Sequence, residues 1–379
     1  MRTTNQPRKI VQAQSASILP NLCKNCQIRQ GFMETESSSN CVICGSSLAN
    51  LSHISKLTTQ TLRKYEFNSF VVGTTVPQSM IDAEDEIRSR FKIHGKESLK
   101  TQVSKEITSK IIKNIGSHVD YSRPEVTVLV SLSDQNVSVT PRSLWLSGSY
   151  TKNVRGIPQR SSPCRTCNGL GCADCNYAGS TRKSIQFILT SFFVKSFSAE
   201  TCNFVWLGSE DENSLVKGGG RPFYVEVVKP TKRHNRKLLS RSVNVDGVGL
   251  KSMQILAWRP KRIPPFTMGV KIYLLRKNAT FEEKIKLEEL RNSFVDRIVS
   301  VKLSKKLRTV SRNVYKVSIQ NRKDKDGLVL KLECDGGIPI RKLVNGDQDI
   351  VFPNFGDFLK GFELDETMPF DIMKVETKT

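Results

Sequence analysis

Eight of the ten cysteines form four pairs whose partners are separated by two residues, a spacing that suits a metal ion. Each pair can supply two thiolates, which is half of the tetrahedral ligand set that zinc takes in structural sites. In the first set, fourteen residues separate Cys23 and Cys26 from Cys41 and Cys44, a loop long enough to let the pairs meet. This pattern predicts a zinc ribbon with no open coordination position, and therefore a structural metal.

A second set of four cysteines occupies the short segment "CRTCNGLGCADC". Cys164 and Cys167 lie close in sequence to Cys172 and Cys175, and two glycines between the pairs permit a tight reversal of the chain. The spacing predicts a second structural zinc in a compact knuckle. The spacing is also similar to half of the zinc repeat of DnaJ-type chaperones, so a chaperone-like module remains an alternative. Against this alternative, only one such unit is present, whereas the chaperone repeat occurs several times.

An acidic cluster stands beside three glycines in a chain that is otherwise basic. The stretch "GSEDENSLVKGGGRPF" covers residues 208–223, whereas the whole chain has 59 Lys and Arg residues against 36 Asp and Glu residues. Three interpretations are open: an exposed polar turn, a glycine loop that holds phosphate, or a strand end at which a carboxylate, Asp211, acts on a polyanion. The second lacks the Gly-Lys-Ser/Thr ending of a P-loop.

The net charge of +23 favours nucleic acid or an anionic membrane surface as a partner. No run of about 18 apolar residues is present, so we expect no membrane-spanning segment. The most apolar stretch, residues 185–197, is interrupted by polar side chains and has helical spacing, which predicts a buried core helix. The N-terminus lacks the apolar core of a signal peptide, and paired cysteines suit a reducing compartment, so we expect a cytoplasmic protein.

The hydrophobic pattern predicts an α+β chain that would position these side chains. Residues 95–116 predict a helix with one apolar stripe, formed by Val103, Ile107, Ile111 and Ile115. Residues 126–132 alternate as a strand. In the second half, helices are predicted at 185–194 and 281–294, and strands at "FYVEVV", "VKIYLL", "VYKVSI" and "LVLKLEC". Several strands with few helices between them predict an antiparallel or mixed sheet.

Three segments together resemble the archaeal and eukaryotic tRNA pseudouridine-54/55 synthases. The acidic stretch matches that family's catalytic motif, without a gap, at Gly208, Glu210, Asp211, Gly218, Gly220, Arg221, Pro222 and Phe223. The segment "SGSYTKNVRGIPQ" matches another family motif at Gly148, Tyr150, Lys152, Arg155, Gly156, Ile157, Pro158 and Gln159. The late segment "CDGGIPIRKLVNGD" is similar to a motif of pseudouridine synthases in general, at Gly337, Ile340, Arg341 and Leu343. The resemblance covers nearly the whole chain in order.

The resemblance implies a role for individual residues. Asp211 would be the catalytic nucleophile or base, and Arg341 would pair with it, keep it ionised and fix its position. Tyr315 stands where the family has an aromatic side chain that stacks on the uracil. The remaining substrate-binding residues would be two glycines that let backbone approach RNA, an arginine that supports the loop or contacts phosphate, and two linker cations: Gly218, Gly220, Arg221, Lys152 and Arg155.

The resemblance also implies five segments along the chain. They are a disordered basic tail (1–20), a zinc ribbon (21–50), a THUMP-like RNA-binding domain (51–160), a compact cysteine knuckle (161–180) and a pseudouridine synthase catalytic domain (181–379). The expected substrate is tRNA, at the adjacent uridines of the TΨC loop. Catalysis would need no metal or small-molecule cofactor, no membrane would be involved, and we expect a monomer.

Some positions depart from the family's pattern and leave a second function open. Ser209 replaces an arginine that occupies the gap left by the flipped base in related synthases, and Leu215 replaces another arginine. Asn213 replaces an acidic residue, and Pro339 replaces the usual tyrosine of the late motif. The alternative is therefore a zinc-containing RNA-binding protein on a synthase domain that has lost catalysis.

Overall fold

The structure is a computed structural model of the 379-residue chain. It describes residues 20–32, 38–175, 177, 179–180, 183–235, 238, 242–277, 282–303 and 308–378. The predicted basic tail, 1–20, lies outside the described residues except for Pro20. The chain divides into two compact units: unit 1 comprises Met1–Arg142 with Lys229–Arg233, and unit 2 comprises Ser143–Val228 with His234–Thr379.

Unit 1 is an α+β domain in which helices pack on a small mixed sheet. Its described helices are α1 (Lys24–Gln30), α2 (Leu51–Leu62), α3 (Gln78–Arg90) and α4 (Leu99–Ile115). Its described strands are β1 (Ser69–Thr75), β2 (His118–Val119), β3 (Val126–Ser131) and β4 (Asn136–Pro141). The strand order is β2-β1-β3-β4; β1 is parallel to β2 and β3, and β3 is antiparallel to β4.

Local sequence explains where α4 begins and ends. The Ser98 side chain accepts a hydrogen bond from the Thr101 backbone N–H at the start of the helix, and Gly116 ends it with φ of 80°. The predicted apolar stripe is confirmed, since Val103, Ile107 and Ile111 are buried against the sheet. The alternation predicted for residues 126–132 is confirmed as well, because the even-numbered side chains of β3 are buried.

Unit 2 is built on one large sheet. Its strands are β5 (Leu144–Lys152), β6 (Thr201–Trp206), β7 (Val216–Val228), β8 (Val243–Val245), β9 (Val248–Leu256), β10 (Phe266–Arg276), β11 (Arg297–Leu303), β12 (Arg308–Asn321), β13 (Gly327–Asp335), β14 (Val351–Phe352), β15 (Phe362–Leu364) and β16 (Phe370–Thr377). The order is β14-β11-β12-β13-β10-β16-β7-β5-β9-β8, with β15 on β10 and β6 on β7. Among the described strands of this sheet, β16 and β7 pair in parallel and the others pair in antiparallel. The predicted α+β class with an antiparallel or mixed sheet is confirmed.

Three helices of the described part pack on this sheet: α5 (Ile185–Phe197), α6 (Glu283–Ser293) and α7 (Ile340–Asn345). The two longer ones fall where helices were predicted. The apolar stretch forms α5, whose N-terminus is capped by Ser184 and whose Phe193 and Phe197 are completely buried. Among the described residues, no helix has the length and apolar character needed to cross a bilayer.

The unit boundary differs from the boundary near residue 160 that the sequence predicted. It falls at Arg142, before β5, because β5 pairs with β7 on one side and with β9 on the other. The alternation of β5 predicts a strand but does not identify its partners. The segment that carries Lys152 therefore belongs to the same sheet as the acidic stretch.

The three glycines of the acidic stretch also differ from expectation. They lie inside β7, which begins at Val216, and not in a flexible loop. The register between β5 and β7 shifts between Tyr150 and Lys152, so the glycines form an irregular part of the strand. Glycine tolerates the positive φ of 60° at Gly218 and of 85° at Gly220, and this explains their presence.

Candidate active site

The structure brings together the two residues that the sequence nominated for catalysis. Asp211 lies in the turn between β6 and β7, and Arg341 lies in the first turn of α7. Although they are 130 positions apart, Arg341 Nε donates a hydrogen bond to Asp211 Oδ2 at 2.7 Å. The two side chains are 18% and 33% exposed, so solvent or a ligand can still reach the pair.

Asp211 is positioned by a turn that is closed by hydrogen bonds within the acidic stretch. Its Oδ1 accepts a hydrogen bond from the Asn213 backbone N–H at 2.9 Å, and its carbonyl accepts one from the Ser214 N–H at 3.1 Å. Aspartate commonly stabilises such a turn through its own side chain. Oδ1 therefore anchors the turn, while Oδ2 points to the guanidinium of Arg341.

Arg341 bridges two carboxylates. Its Nη1 donates to Glu366 Oε2 at 2.6 Å, on the side away from Asp211. Burial favours the neutral form, yet the hydrogen bonds to Asp211 and Glu366 outweigh it and raise the pKa of Arg341 above its ordinary value. The guanidinium is therefore a permanent positive charge beside Asp211.

Asp211 opens into a cavity of about 200 Å³. Its polar lining comes from Ser209, Glu210, Asp211, Arg221 and Arg341, and its apolar lining comes from Met268, Ile338, Pro339, Ile340, Phe370 and Ile372. Apolar walls with a few convergent polar groups are typical of sites that bind small molecules or parts of larger ones. Ser209 and Pro339, two of the positions at which the sequence departs from the family, are both in this lining.

Glu210 has a structural role that the sequence analysis did not identify. Its side chain is completely buried, and its Oε2 accepts hydrogen bonds from Tyr150 Oη at 2.8 Å and from Arg221 Nε at 3.1 Å. Burial and the charge of Glu210 hold the pKa of Tyr150 well above its usual range. Tyr150, Arg221 and Glu210 all belong to the motif segments, but their mutual contact depends on strand pairing that periodicity does not reveal.

Lys152 is buried inside the protein, which corrects the expectation that it contacts phosphate. Its side chain is completely buried, and its Nζ donates to the carbonyls of Ile157 at 2.6 Å, Asp211 at 3.1 Å and Glu212 at 2.9 Å. Burial lowers the pKa of Lys152, while Glu210, whose Oε1 is 4.0 Å from Nζ, opposes that shift. Lys152 therefore holds the backbone of the turn that carries Asp211.

Arg155, like Lys152, holds a backbone carbonyl of the turn, in this case that of Asn213. It donates to the Asn213 carbonyl and forms a two-point ion pair with Asp371, with distances of 2.8 and 3.0 Å. Asp371 also accepts from the Leu215 N–H at 2.9 Å. Lys152 and Arg155 together thus hold three consecutive carbonyls, those of residues 211, 212 and 213. This replaces the expected phosphate contact of Arg155 with a contact inside the protein.

The other expected substrate-binding residues of the acidic stretch are also engaged internally. A Cβ added at Gly218 would lie 2.4 Å from the Met373 carbonyl oxygen, and one at Gly220 would lie 2.7 Å from the Tyr150 carbonyl oxygen. Arg221 is 1% exposed and donates to the Leu207 carbonyl at 2.6 Å. Glycine is therefore required by close strand packing, and Arg221 supports the loop and does not reach phosphate.

Tyr315 lies apart from Asp211. Its hydroxyl donates to Asp335 Oδ1 at 2.8 Å, and Lys378 Nζ lies 5.4 Å from the centre of its ring. It lines a separate groove of about 640 Å³, and within the described residues it is not among those that line the Asp211 cavity. The structure therefore does not bring Tyr315 to the position at which it would stack on a uracil beside Asp211.

Asp371 and Tyr273 are polar residues of the neighbouring strands that sequence analysis did not single out. Tyr273 Oη donates to Asp371 Oδ2 at 3.0 Å, and burial together with that carboxylate raises the pKa of Tyr273 to about 12. Asp371 precedes Ile372, which lines the cavity and pairs with Val216 at the start of β7. In the sequence, Asp371 stands out only as an aspartate within an apolar strand. Its partners, Arg155 and Tyr273, become evident only from the fold.

The two cysteine sets have the geometry of metal centres. In each set the four Sγ atoms lie within 4.8 Å of one another. The Cys23–Cys44 separation is 3.6 Å and the Cys164–Cys172 separation is 3.9 Å, whereas a tetrahedral site with ordinary zinc–sulfur bonds needs roughly 3.8 Å between sulfurs. Both donor sets therefore fit a tetrahedral metal ion, and four protein ligands would leave no position for a substrate.

Two family models and several curated proteins match this chain. A model described as "Pus10, C-terminal" matches residues 145–376, and one described as "Pus10 THUMP domain, archaeal" matches residues 54–131. The curated tRNA pseudouridine synthase Pus10 of Nitrosopumilus maritimus is 31% identical over 359 residues, covering 91% of this chain and 87% of that protein. The Pus10 of Cenarchaeum symbiosum is 32% identical over 311 residues, covering 80% and 74%.

A solved structure titled "Crystal Structure of a Cbf5-Nop10-Gar1 Complex" overlaps 50% of this chain and 44% of the other, with a TM-score of 0.26 and 12% identity, too low to support an argument. The matching family model and the curated relatives define the class of the protein as tRNA pseudouridine synthase. The chain belongs to the Pus10 family, and the resemblance found in its motifs is confirmed.

Proposed function

We propose that the chain converts uridine to pseudouridine in the TΨC loop of tRNA, at position 55 and at position 54 as a second target, and that Asp211 performs the reaction. The family membership and the names of the relatives support tRNA as the substrate. The observation that carries the proposal is the ion pair of Asp211 and Arg341 at a small cavity, assembled from two distant motifs.

The chemistry explains why one carboxylate is sufficient. The reaction is an isomerisation: the C1′–N1 bond breaks, the uracil turns, and C5 bonds to C1′, while C5 loses a proton and N1 gains one. Asp211 is the carboxylate that meets the sugar–base junction, and Arg341 fixes its direction through a charge-assisted hydrogen bond. Phe370 and Ile372 retain the detached uracil at the cavity wall.

The target uridine must leave its stack to reach this cavity, at a cost of a few kcal/mol. The excess of basic over acidic residues offsets that cost by attracting the phosphates of the RNA. The turn that carries Asp211 is held by Lys152 and Arg155 before any RNA binds, so binding energy is not needed to order it.

We further propose that both cysteine sets bind zinc with a structural role. All eight ligands are thiolates, which zinc favours. Elemental analysis of protein purified without chelator should give two zinc ions per chain. Cys41→Ser and Cys172→Ser should each reduce that number to one, and a wild-type preparation without zinc would reject the proposal.

A second candidate function is RNA binding without catalysis. It is favoured by Ser209, which lines the cavity at the position where related synthases carry an arginine. Serine is too short to replace that arginine, so no side chain from this position would fill the gap that an extruded base leaves in the RNA. The hydrogen bonds from Lys152, Arg155 and Arg341 count against this candidate. They fix the Asp211 turn and its side chain, and a domain without catalysis would not require Asp211 to be fixed.

Incubation of the protein with an unmodified tRNA transcript, followed by mapping of pseudouridine at single-nucleotide resolution, separates the two functions. The proposed function predicts pseudouridine at position 55, at 54 or at both, with turnover of more than one tRNA per enzyme. Tight binding without product on every tRNA tried, together with product formation by Ser209→Arg, would favour the second function.

A further inference from the structure

The connection between β9 and β10, residues 257–265, is a basic surface segment that exposes a tryptophan. Trp258 is 69% exposed and Ile263 is 51% exposed. Arg259, Lys261 and Arg262 are exposed as well. The sequence contains no Asp or Glu between Asp246 and Glu282, so every charge that this stretch of chain contributes is positive. Trp258 and Ile263 thus place two large apolar side chains among cations on one short surface segment.

The C-terminal end of this segment is fixed to the active site. It runs into Phe266, whose carbonyl accepts a hydrogen bond from the Gly336 N–H at 2.7 Å. A Cβ added at Gly208 would lie 2.9 Å from the Phe266 ring, and one at Gly336 would lie 2.2 Å from it. The ring therefore packs between the glycines that precede the Asp211 turn and the Arg341 segment. Met268, two residues further on, lines the cavity.

The N-terminal end of the segment is anchored on β5. Leu256, the last residue of β9, pairs with Trp145, and the Arg259 guanidinium lies 5.7 Å from the centre of the Trp145 ring. Such a cation–π contact is attractive and holds the arginine in place while it remains charged. Three prolines at positions 260, 264 and 265 further restrict the backbone. The segment is thus a restrained platform and not a free loop.

A flat indole surrounded by cations fits an unpaired nucleobase with its flanking phosphates. Aromatic side chains stack on bases, while Lys and Arg follow the backbone. A membrane surface would instead favour an amphipathic helix with a broad apolar face, which residues 257–265 do not form. An acidic protein partner would use the cations but would not require an exposed indole at this place.

We propose that residues 257–265 form a second RNA contact, in which Trp258 stacks on an unpaired base near the target uridine and Lys261 and Arg262 hold adjacent phosphates. The proposal rests on the proposed function only in taking RNA as the substrate. The platform would fix the direction of the strand that enters the Asp211 cavity. It also gives a physical role to a segment that lies outside every motif identified in the sequence.

The test uses the full chain and an unmodified tRNA transcript, with binding measured in the Asp211→Asn background so that turnover does not interfere. Trp258→Ala should raise the Kd about ten-fold, the loss expected for one stacked base. Trp258→Phe should stay within about two-fold of the parent, because a phenyl ring still stacks. Phe352→Ala, which removes a 61% exposed aromatic ring elsewhere in unit 2, should leave the Kd unchanged.

Tryptophan fluorescence gives an independent readout. The chain has three tryptophans, and RNA should quench the emission of the parent much more than that of Trp258→Phe, although both bind. An unchanged Kd in Trp258→Ala would overturn the proposal, and so would equal quenching in Trp258→Phe. Vesicles containing phosphatidylserine that shift the Trp258 emission, with no quenching by RNA, would assign the platform to an anionic lipid surface instead. Failure of the proposed function would look different, since pseudouridine would be absent while quenching and the Trp258 dependence of binding persisted.

Discussion

Asp211 and Glu210 are adjacent in the sequence but lie in opposite environments. Glu210 is completely buried and is held by Tyr150 and Arg221, whereas the Asp211 side chain is 18% exposed and has Arg341 as its charged partner. A buried charge needs permanent partners, so it is suited to hold structure. A carboxylate that must meet a substrate needs a side open to the cavity. The difference fits the proposal, in which Glu210 supports the segment and Asp211 carries out the reaction.

We call the buried set Tyr150, Lys152, Glu210 and Arg221 the supporting group, and the accessible pair Asp211 and Arg341 the reactive pair. Four substitutions test whether these two regions differ as described, and they are ordered from the largest expected effect to the smallest.

Glu210→Gln should have the largest effect on stability. It removes the charge that compensates Arg221 and Lys152, both of which stay buried, and breaking such a pair costs about 3 kcal/mol. The melting temperature of unit 2 should fall by roughly 6–12 °C for a unit of this size. Glu212→Gln, which alters an exposed neighbour, is the control for thermal unfolding. A Glu210→Gln protein as stable as the parent would remove the supporting role.

Arg341→Ala should mainly reduce turnover. Without the guanidinium, Asp211 loses the partner that fixes its direction, and the single-turnover rate should fall about 100-fold while tRNA affinity changes little. Glu366→Gln is the matched control, because it removes only the 69% exposed partner of Arg341 and should alter the rate by less than about three-fold. Equal losses in both variants would contradict the description of the reactive pair.

Lys152→Met distinguishes the buried role of this lysine from a phosphate contact. Three carbonyls lose their donor, so the turn should loosen and the single-turnover rate should fall about ten-fold. The Kd for tRNA and its salt dependence should not change. Lys217→Met, on the exposed side of β7, should leave the rate unaffected. A reduced salt dependence of binding in Lys152→Met would restore the phosphate role.

The smallest effect is expected from the glycines of β7. Gly220→Ala places a Cβ against the Tyr150 carbonyl at positive φ and should destabilise unit 2 by about 1 kcal/mol. Gly219→Ala meets no atom within 4 Å and should be tolerated. Chemical denaturation of both variants checks the difference, and equal stability would mean that β7 does not require glycine at position 220.

The sequence was sufficient where function depends on local spacing. The cysteine pairs, the helix α4 and the alternating strand β3 could be predicted because ligand spacing and hydrophobic periodicity are properties of a short segment. The motif segments likewise predicted, through their resemblance to a family, that Asp211 and Arg341 pair, and the two side chains are hydrogen-bonded at 2.7 Å.

The sequence was insufficient where partners are set by strand pairing. Lys152 and Arg155 are cations of the kind that bind phosphate. However, β5 pairs with β7, and this pairing places Lys152 at the end of β5, and Arg155 just beyond it, against the Asp211 turn. Tyr315 occupies the expected position in the chain, yet its strand places it in another groove. Charge alone cannot separate a buried cation from an exposed one, because burial is decided by elements distant in sequence.

The most direct test of the central claim compares Asp211→Asn with Glu210→Gln in two measurements on the same preparations: pseudouridine formed in a single turnover on unmodified tRNA, and the melting temperature of unit 2. The account predicts that Asp211→Asn melts within about 2 °C of the parent and makes no detectable pseudouridine, since asparagine keeps the size of the side chain and its Oδ1 can still accept the hydrogen bond from the Asn213 N–H. It predicts that Glu210→Gln melts well below the parent and, at a temperature where it stays folded, still forms product. Substantial pseudouridine from Asp211→Asn would contradict the account, and so would a folded, fully stable Glu210→Gln protein without activity.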